Sequence, residues 1–207
     1  MKKSILIFAS AVVVITTGML ACNSSDKPSA SQEGLSDLPN VKEAISQDSL
    51  VKRGQYLVTI MGCNDCHSPK KFGPHGPEID SSRMLSGHPS DVAVTKPDMS
   101  GSKNWIFLDM QGTAAAGPWG VSFAANLTSD PSGIGNWTEE QFFTAIRQGK
   151  FKGAPAGRDL LPPMPWPMYR NATDEDLRSV FAYLKSTNPV KNFVPSNIPP
   201  NQLSQLK

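Results

Sequence analysis

The chain has few of the residues on which many functional sites depend. Its 207 residues include only three cysteines and three histidines, and Cys22 is the only cysteine outside the pair Cys63 and Cys66. Half of a zinc site is an alternative for that pair, but it fits poorly, because it needs two further Cys or His ligands and Cys22 is the only other cysteine. An excess of charge of one sign is also absent, since 20 Lys and Arg face 18 Asp and Glu. Nucleic-acid binding requires a basic surface, so we do not expect it.

Residues 1–21 have the pattern of an export signal. Lys2 and Lys3 precede an apolar run from Ile5 to Ala21, which is the layout of a signal peptide. The run ends in Met19-Leu20-Ala21-Cys22, which resembles a bacterial lipobox and predicts acylation of Cys22 as the first residue of the mature chain. An uncleaved anchor helix is the alternative, since the run is at the short end of a membrane span. In both cases we expect an exported chain held at a bacterial membrane and facing the periplasm.

The mature chain divides into three further segments. Residues 22–47 are rich in Ser, Asp, Asn and Pro and predict a flexible tether. Residues 48–190 form the predicted folded domain. Residues 191–207 are predicted to form an extended tail, because their prolines disfavour further helix.

Three helices are predicted in the folded domain. Apolar residues recur at helical spacing between Leu50 and Met61 and run directly into Cys63. Gly54 lies inside this helix and indicates the close approach of another backbone or side chain. Capping patterns begin the other two helices, which are expected near residues 138–149 and 173–188.

No alternating strand pattern of useful length is visible, so the predicted class is all-α with long loops. Roughly seventy residues between His67 and Trp137 have little periodicity. A compact domain rarely holds so long a loop without structure. This stretch should therefore pack around a cofactor or contain short elements that the pattern does not place.

Residues 63–67, Cys-Asn-Asp-Cys-His, match the C-x-x-C-H motif at which a c-type haem is attached. On one helical turn the sulfurs of Cys63 and Cys66 lie side by side, where both can form thioethers with the vinyl groups of one porphyrin. His67 is then placed to offer a ring nitrogen to the iron. A dithiol redox pair is an alternative, but it would be expected within a βαβ pattern that is not visible here.

Met164 is the predicted sixth ligand of the iron. Prolines on both sides fix an extended backbone and hold the thioether on a stiff loop. Core filling is the alternative role for such a methionine, and Met168 is the second candidate ligand. His75 and His88 are further candidates, although both lie in Gly- and Pro-containing loops where a solvent-facing His is common. Three other methionines are predicted to be packing residues: Met84, Met99 and Met110.

Three groups of residues carry a resemblance to a known family. They are Arg53-Gly54-x-Tyr56-Leu57-Val58 before the 62–67 motif, Asn126-Leu127-Thr128-x-Asp130 with Gly133-Ile134-Gly135-x-Trp137, and Pro163-Met164-Pro165-Trp166 with Asp174-Glu175-Asp176-Leu177 and Ala182-Tyr183-Leu184. Together they make residues 50–190 resemble class I c-type cytochromes, in particular the cytochrome c subunits and domains of membrane-bound dehydrogenases. The resemblance implies a cytochrome c-like fold of three to five helices around one covalent haem c, with His67 and Met164 as the axial ligands of its iron. It also implies that Tyr183 packs near Gly54.

These observations favour a membrane-tethered carrier of single electrons rather than an enzyme. Its expected partners are redox proteins, such as a dehydrogenase, a quinol-oxidising complex or a terminal oxidase. A fixed electron-transfer subunit of a larger dehydrogenase or oxidase is the second hypothesis. A haem enzyme or gas-binding protein with an open sixth site is the third.

Overall fold

The computed structural model describes residues 46–101 and 103–206. The predicted signal peptide, Cys22 and nearly all of the predicted tether therefore lie outside the described residues. Within the described ranges, no helix combines the length and the apolar character needed to cross a membrane.

Five α-helices and five β-strands make up the described chain. The helices are α1 (Gln47–Ile60), α2 (Cys63–His67), α3 (Glu139–Gln148), α4 (Trp166–Tyr169) and α5 (Asp174–Ser186). The strands are β1 (Lys70–Gly73), β2 (Gly76–Ile79), β3 (Phe107–Leu108), β4 (Ala114–Gly117) and β5 (Gly120–Phe123). Short 3₁₀ helices span Ser81–Arg83, Phe151–Gly153 and Pro200–Gln205.

Helices α1 and α5 pack closely at Gly54. A Cβ atom on Gly54 would lie 1.9 Å from the backbone oxygen of Ser179 and 2.7 Å from the Cβ of Tyr183. The prediction that Gly54 marks a close approach is thus confirmed, as is the expected nearness of Tyr183. Beside this contact, the Arg53 guanidinium of α1 binds the Asp176 carboxylate of α5, with Nε 2.9 Å from Oδ1.

One apolar core joins α1, α3 and α5. Its fully buried members come from these helices and from two loops, and they are Val58, Leu85, Ile134, Phe142, Leu177, Val180 and Leu184. Burial of such side chains contributes roughly 1.5–3 kcal/mol each, so this cluster is a main source of stability. Cys63 packs against its edge.

The two predicted helix caps are confirmed. Thr138 accepts a hydrogen bond from the Gln141 amide while the Gln141 side chain accepts from the Thr138 amide, which is a complete capping box. Helix α3 ends at Gly149, whose φ of 67° is in the left-handed region. Thr173 caps α5 by accepting from the Asp176 amide.

The all-α prediction is wrong, because two small antiparallel sheets lie between α2 and α3. One is the β1–β2 hairpin, and the other has the strand order β3-β4-β5. Both hairpins turn on the sequence Gly-Pro-x-Gly, at 73–76 and 117–120, and their second glycines have φ of 108° and 93°. Proline favours the first central position of such a tight turn, and glycine accepts the positive φ. The apparent loop is therefore organised by turns rather than by apolar periodicity.

The carboxyl-terminal segment joins the second sheet. Ile198 forms an antiparallel bridge with Val121 of β5, and the two residues exchange hydrogen bonds of 2.8 and 2.9 Å. Further back, the Asn192 side chain donates to the carbonyls of Ser86 and His88 and accepts from the Ser90 amide. The segment therefore covers both a strand edge and the 86–90 loop.

Candidate functional site

Helix α2 carries the cysteine pair and His67 on little more than one turn. It is separated from α1 by Gly62, whose φ of 67° is left-handed and lets the chain change direction. Both cysteines are partly buried. Burial raises the pKa of the Cys63 thiol to about 11 and also raises the pKa of Cys66. A reactive dithiol pair would need lowered pKa values, so this environment argues against thiol redox chemistry.

The His67 ring is oriented by a backbone carbonyl. Its Nδ1 lies 2.7 Å from the oxygen of Ala125, just beyond the end of β5. A carbonyl can only accept, so Nδ1 carries the proton and Nε2 keeps a free lone pair. Burial lowers the pKa of His67, and the charge of Lys70 acts in the same direction, while the bond to Ala125 opposes both. The neutral imidazole is the form that binds a metal.

The backbone around His67 is fixed by the 85–88 loop. The Gly87 amide donates to the His67 carbonyl at 2.8 Å, and the Leu85 amide donates to the Ser68 hydroxyl at 2.9 Å. That hydroxyl in turn donates to the Asn64 side chain at 2.8 Å. These contacts join both ends of α2 to one loop, so the helix that carries His67 has little freedom to rotate.

Met164 lies in the proline-rich segment that leads into α4. It is half-buried and lines an apolar cavity of about 400 Å³. The cavity is formed by one continuous stretch of chain: Leu160, Pro162, Pro163, Met164, Pro165, Trp166, Pro167 and Met168. Three contacts hold this stretch to the rest of the domain. The first is the Leu160 amide, which donates to the Gly149 carbonyl at 2.6 Å. Ser122 of β5 binds the Pro162 carbonyl, and the Trp166 ring rests on Gly149 at the end of α3.

Helix α4 lies next to the cysteine pair. The Tyr169 hydroxyl donates to the Met61 carbonyl, two residues before Cys63. Burial raises the pKa of Tyr169, and the nearby groups of Cys63, Cys66 and Asp65 raise it further. The structure therefore brings the segment after Met164 beside the start of the C-x-x-C-H motif, although about one hundred residues separate them in sequence.

The other candidate ligands have different environments. Met168 is 72% exposed, and His75 is also exposed. His88 is only 2% exposed, with its Nδ1 2.9 Å from the Thr113 hydroxyl and its ring 4.8 Å from that of Phe123. A solvent-facing role for His88 is therefore wrong, because the second sheet covers it.

Two of the methionines predicted to be packing residues are exposed. Met84 is 40% exposed and Met110 is 76% exposed, so a packing role for them is wrong. Met110 lies in the turn between β3 and β4. Met99 is partly buried.

Three residues of the site could not be found from side-chain patterns. Ala125 acts through its carbonyl, and Gly87 acts through its amide and its lack of a side chain. Neither role has a sequence motif. Ser122 lies in β5, and its role depends on a contact 40 residues away in sequence. In the sequence, only the Gly-Pro-x-Gly turn at 117–120 could have indicated the hairpin that carries Ser122 and leads to Ala125.

No protein-family model matches this chain. Over 139 residues it is 31% identical to the gluconate 2-dehydrogenase cytochrome c subunit of Pantoea cypripedii, a match that covers 67% of this chain and 23% of that protein. The chain is similar to cytochrome subunits of dehydrogenases. It is also 30% identical over 135 residues to the fructose dehydrogenase cytochrome subunit of Gluconobacter japonicus, covering 65% of this chain and 20% of that protein.

A shorter match gives a higher identity. Over 87 residues the chain is 38% identical to a nicotinate dehydrogenase subunit of Pseudomonas putida, which covers 42% of this chain and 7% of that protein. The chain thus spans less than a quarter of the length of each of these three relatives.

The residues present fit a covalently attached haem. The two sulfurs are one helical turn apart, and the bond to Ala125 leaves Nε2 of His67 as the nitrogen available to iron. Cys63 adjoins the apolar core, and Met164 lies in an apolar groove formed by its own segment, so both sides offer hydrophobic surface to a haem ring. Throughout residues 46–101 and 103–206, no three His, Cys, Asp or Glu side chains form a separate cluster able to hold a metal ion.

Proposed function

We propose that this chain is a monohaem c-type cytochrome that carries single electrons between redox proteins. The observation that carries the proposal is the 2.7 Å bond from His67 Nδ1 to the Ala125 carbonyl, at the residue that follows the cysteine pair. It gives the neutral imidazole the tautomer and orientation of an axial ligand. The similarity to cytochrome subunits of dehydrogenases supports the same function.

In this proposal Cys63 and Cys66 hold the haem through thioethers, and His67 Nε2 and Met164 Sδ bind its iron. The haem supplies a ferric/ferrous couple that accepts and releases one electron at a time. The chain supplies a fixed geometry. Hydrogen bonds to residues 64, 67 and 68 keep α2 in one position, so little of the protein needs to rearrange when the charge on the site changes.

Export and lipid anchoring complete the proposal. Cys22 is acylated and holds the chain at a bacterial membrane, with the haem domain in the periplasm. Stable anchoring needs more than one acyl chain, which an N-terminal lipoprotein cysteine provides. Replacing Cys22 with Ser should release the protein from membranes without changing its visible spectrum. A variant that stays bound would indicate an anchor helix or a protein partner instead.

A dehydrogenase is the proposed electron donor, because the relatives include cytochrome subunits of gluconate and fructose dehydrogenases. The chain acts either as a free carrier or as a subunit of such a complex. Affinity purification from mildly solubilised membranes distinguishes the free carrier from the subunit of a complex. A dehydrogenase recovered in stoichiometric amount supports the subunit, and recovery of the cytochrome alone supports the free carrier.

The first experiment tests haem attachment. The purified, denatured protein should retain one haem per chain, because thioethers survive unfolding whereas coordinate bonds do not. The Cys63→Ser/Cys66→Ser double variant should lose it. Extraction of the haem from the wild-type protein by acidified acetone would contradict covalent attachment.

The second experiment tests the sixth ligand. The ferric protein should show the weak long-wavelength charge-transfer band of methionine-ligated haem, and Met164→Ala should abolish it and let carbon monoxide bind rapidly to the ferrous form. Met168→Ala is the matched control and should do neither, because that side chain faces solvent. A wild-type protein that lacks the band and binds carbon monoxide rapidly has an open site, which would favour ligand binding or catalysis over electron transfer.

A further inference from the structure

The Met164 segment has almost no means of holding itself in place. Residues 162, 163, 165 and 167 are prolines and have no backbone N–H to donate. The amide of Met164 donates to the Leu161 carbonyl at 3.4 Å, which is a long and weak bond. Proline rings restrict the shape of the segment, but they do not attach it to the rest of the domain. Its position must therefore depend on groups outside it.

Ser122 is such a group. Its hydroxyl lies 2.6 Å from the carbonyl oxygen of Pro162, two residues before Met164. The Ser122 side chain is buried in the middle of β5, on a strand that is paired with β4. A buried hydroxyl that reaches a carbonyl on a separate segment fixes the distance between the two backbones.

The direction of this hydrogen bond follows from the neighbours of Ser122. The Trp119 indole N–H donates to the Ser122 oxygen at 3.2 Å, so one lone pair of that oxygen is used. The hydroxyl proton then has two carbonyls within reach, Ala115 at 3.3 Å and Pro162 at 2.6 Å. The shorter contact takes the proton, because 2.6 Å is normal for an O–H···O bond and 3.3 Å is long.

Residues 122–125 contact both sides of the site. Ser122 binds the segment that carries Met164, and the carbonyl of Ala125 binds His67. Three residues of extended chain span at most about 10 Å, so this short stretch fixes the two segments relative to each other. Along the main chain the same two segments are joined only by the long path from residue 67 to residue 162.

We propose that Ser122 is a positioning residue for Met164, holding the sulfur on the iron by fixing the Pro162 carbonyl. This inference rests on the proposed ligation by Met164. Ser122 itself touches neither the iron nor the haem in this role. Loss of its hydroxyl should weaken the iron–sulfur bond while the covalent attachment and His67 stay in place.

The experiment compares Ser122→Ala with Ser129→Ala in the full-length haem-loaded protein. Ser129 is a matched control, because its hydroxyl also donates to a carbonyl at 2.6 Å, that of Thr187, which is 58 residues away in sequence. Both variants lose one hydrogen bond to a distant carbonyl. Ser122→Ala also loses the bond from the Trp119 indole and should therefore lose somewhat more stability. Only Ser122→Ala should weaken the long-wavelength band and accelerate carbon monoxide binding to the ferrous haem, by roughly fivefold to tenfold, as expected for one hydrogen bond.

The conservative variant Ser122→Thr retains a hydroxyl at this position of β5. It should therefore show the same band and the same rate of carbon monoxide binding as the wild type. If Ser122→Ala does not accumulate, Ser122→Cys and Ser129→Cys give the same comparison, since a thiol fills the space of the hydroxyl but is a weak donor. Equal band intensity and equal carbon monoxide rates in the two serine variants would show that Ser122 has no positioning role. Absence of the band from the wild-type protein would instead refute ligation by Met164.

Discussion

The two sides of the proposed haem site are held in different ways. On the His67 side, hydrogen bonds reach the ring, the backbone of α2 and the residue that follows it. On the Met164 side, prolines restrict the backbone, and the segment is attached by the side chains of one serine, one tyrosine and one tryptophan and by the amide of Leu160. One side is fixed by many bonds, and the other by stiffness and a few attachments.

This difference indicates where the site can open. Breaking one hydrogen bond on the His67 side leaves several others, together with the two proposed covalent attachments. Breaking one on the Met164 side removes a large share of what positions the sulfur. We therefore expect ligand exchange at the iron to occur through release of Met164, with His67 remaining bound.

The largest expected loss of stability comes from Gly87→Ala, which changes a residue on the His67 side of the site. Gly87 has φ of 77°, and a Cβ there would lie 2.5 Å from the Ala124 oxygen and 2.6 Å from the Ala125 oxygen that orients His67. Backbone strain and steric overlap together should lower the free energy of unfolding by about 3 kcal/mol. Chemical denaturation measures this loss.

Gly76→Ala is the control for that variant. Gly76 also has a positive φ, of 108°, but no atom lies within 4 Å of its Cβ position. It should lose only the strain contribution, about 1 kcal/mol. Equal losses in the two variants would mean that the close approach of Gly87 to Ala124 and Ala125 contributes nothing.

A smaller effect is expected from Tyr169→Phe, which loosens the Met164 side. The variant removes the hydrogen bond from α4 to the Met61 carbonyl and should cost about 1 kcal/mol of unfolding free energy. It should also speed carbon monoxide binding, because α4 immediately follows the Met164 segment. Tyr56→Phe, on a side chain that is 62% exposed, should change neither quantity. A stable Tyr169→Phe protein with faster carbon monoxide binding would show that α4 affects ligation more than folding.

The smallest effect is a pH dependence from Asp176, which joins α5 to the helix that leads to the cysteine pair. Burial acts to raise the pKa of Asp176, but hydrogen bonds from Thr173 and Arg53 and the charge of Arg53 lower it overall. A lowered carboxylate pKa stabilises the fold above the unfolded value near 3.9 and loses that contribution as the pH falls through the folded value.

Because Arg53 is half exposed, the contribution should be only about 0.5 kcal/mol. Urea unfolding at pH 7 and pH 3 should therefore show a slightly smaller acid loss in Asp176→Asn than in the wild type. Identical losses in the two proteins would exclude a contribution from this ion pair.

The helical part of the fold was predictable because its information is local. Thr138 with Gln141 and Thr173 with Asp176 lie within one turn of each other, and each pair caps a helix directly. Cys63, Cys66 and His67 are likewise brought together by one turn of α2. In these places neighbouring residues interact with each other, so the pattern is visible in the sequence.

The strands were not predictable from periodicity. β4 is Ala-Ala-Ala-Gly, whose residues have low strand propensity, and β1 and β2 are mostly exposed. In these strands, pairing and packing with other segments of the chain outweigh the low strand propensity of the residues. The burial of His88 depends on Thr113 and Phe123, 25 and 35 positions away. The carbonyl of Ala125 has no side-chain pattern at all, so the orientation of His67 could be known only from the structure.

Asn192 couples the carboxyl-terminal segment to local opening of the loop behind His67. Its side chain bonds to Ser86 and His88, more than one hundred positions away in sequence. If the segment lifted off, two carbonyls and the Ser90 amide would lose their partner at once, so detachment and loop opening form one cooperative event. The amide hydrogens of Gly87, His88 and Ser90 should therefore exchange with solvent no faster than those of the terminal segment. The segment that carries Asn192 therefore stabilises the closed position of the loop that fixes His67.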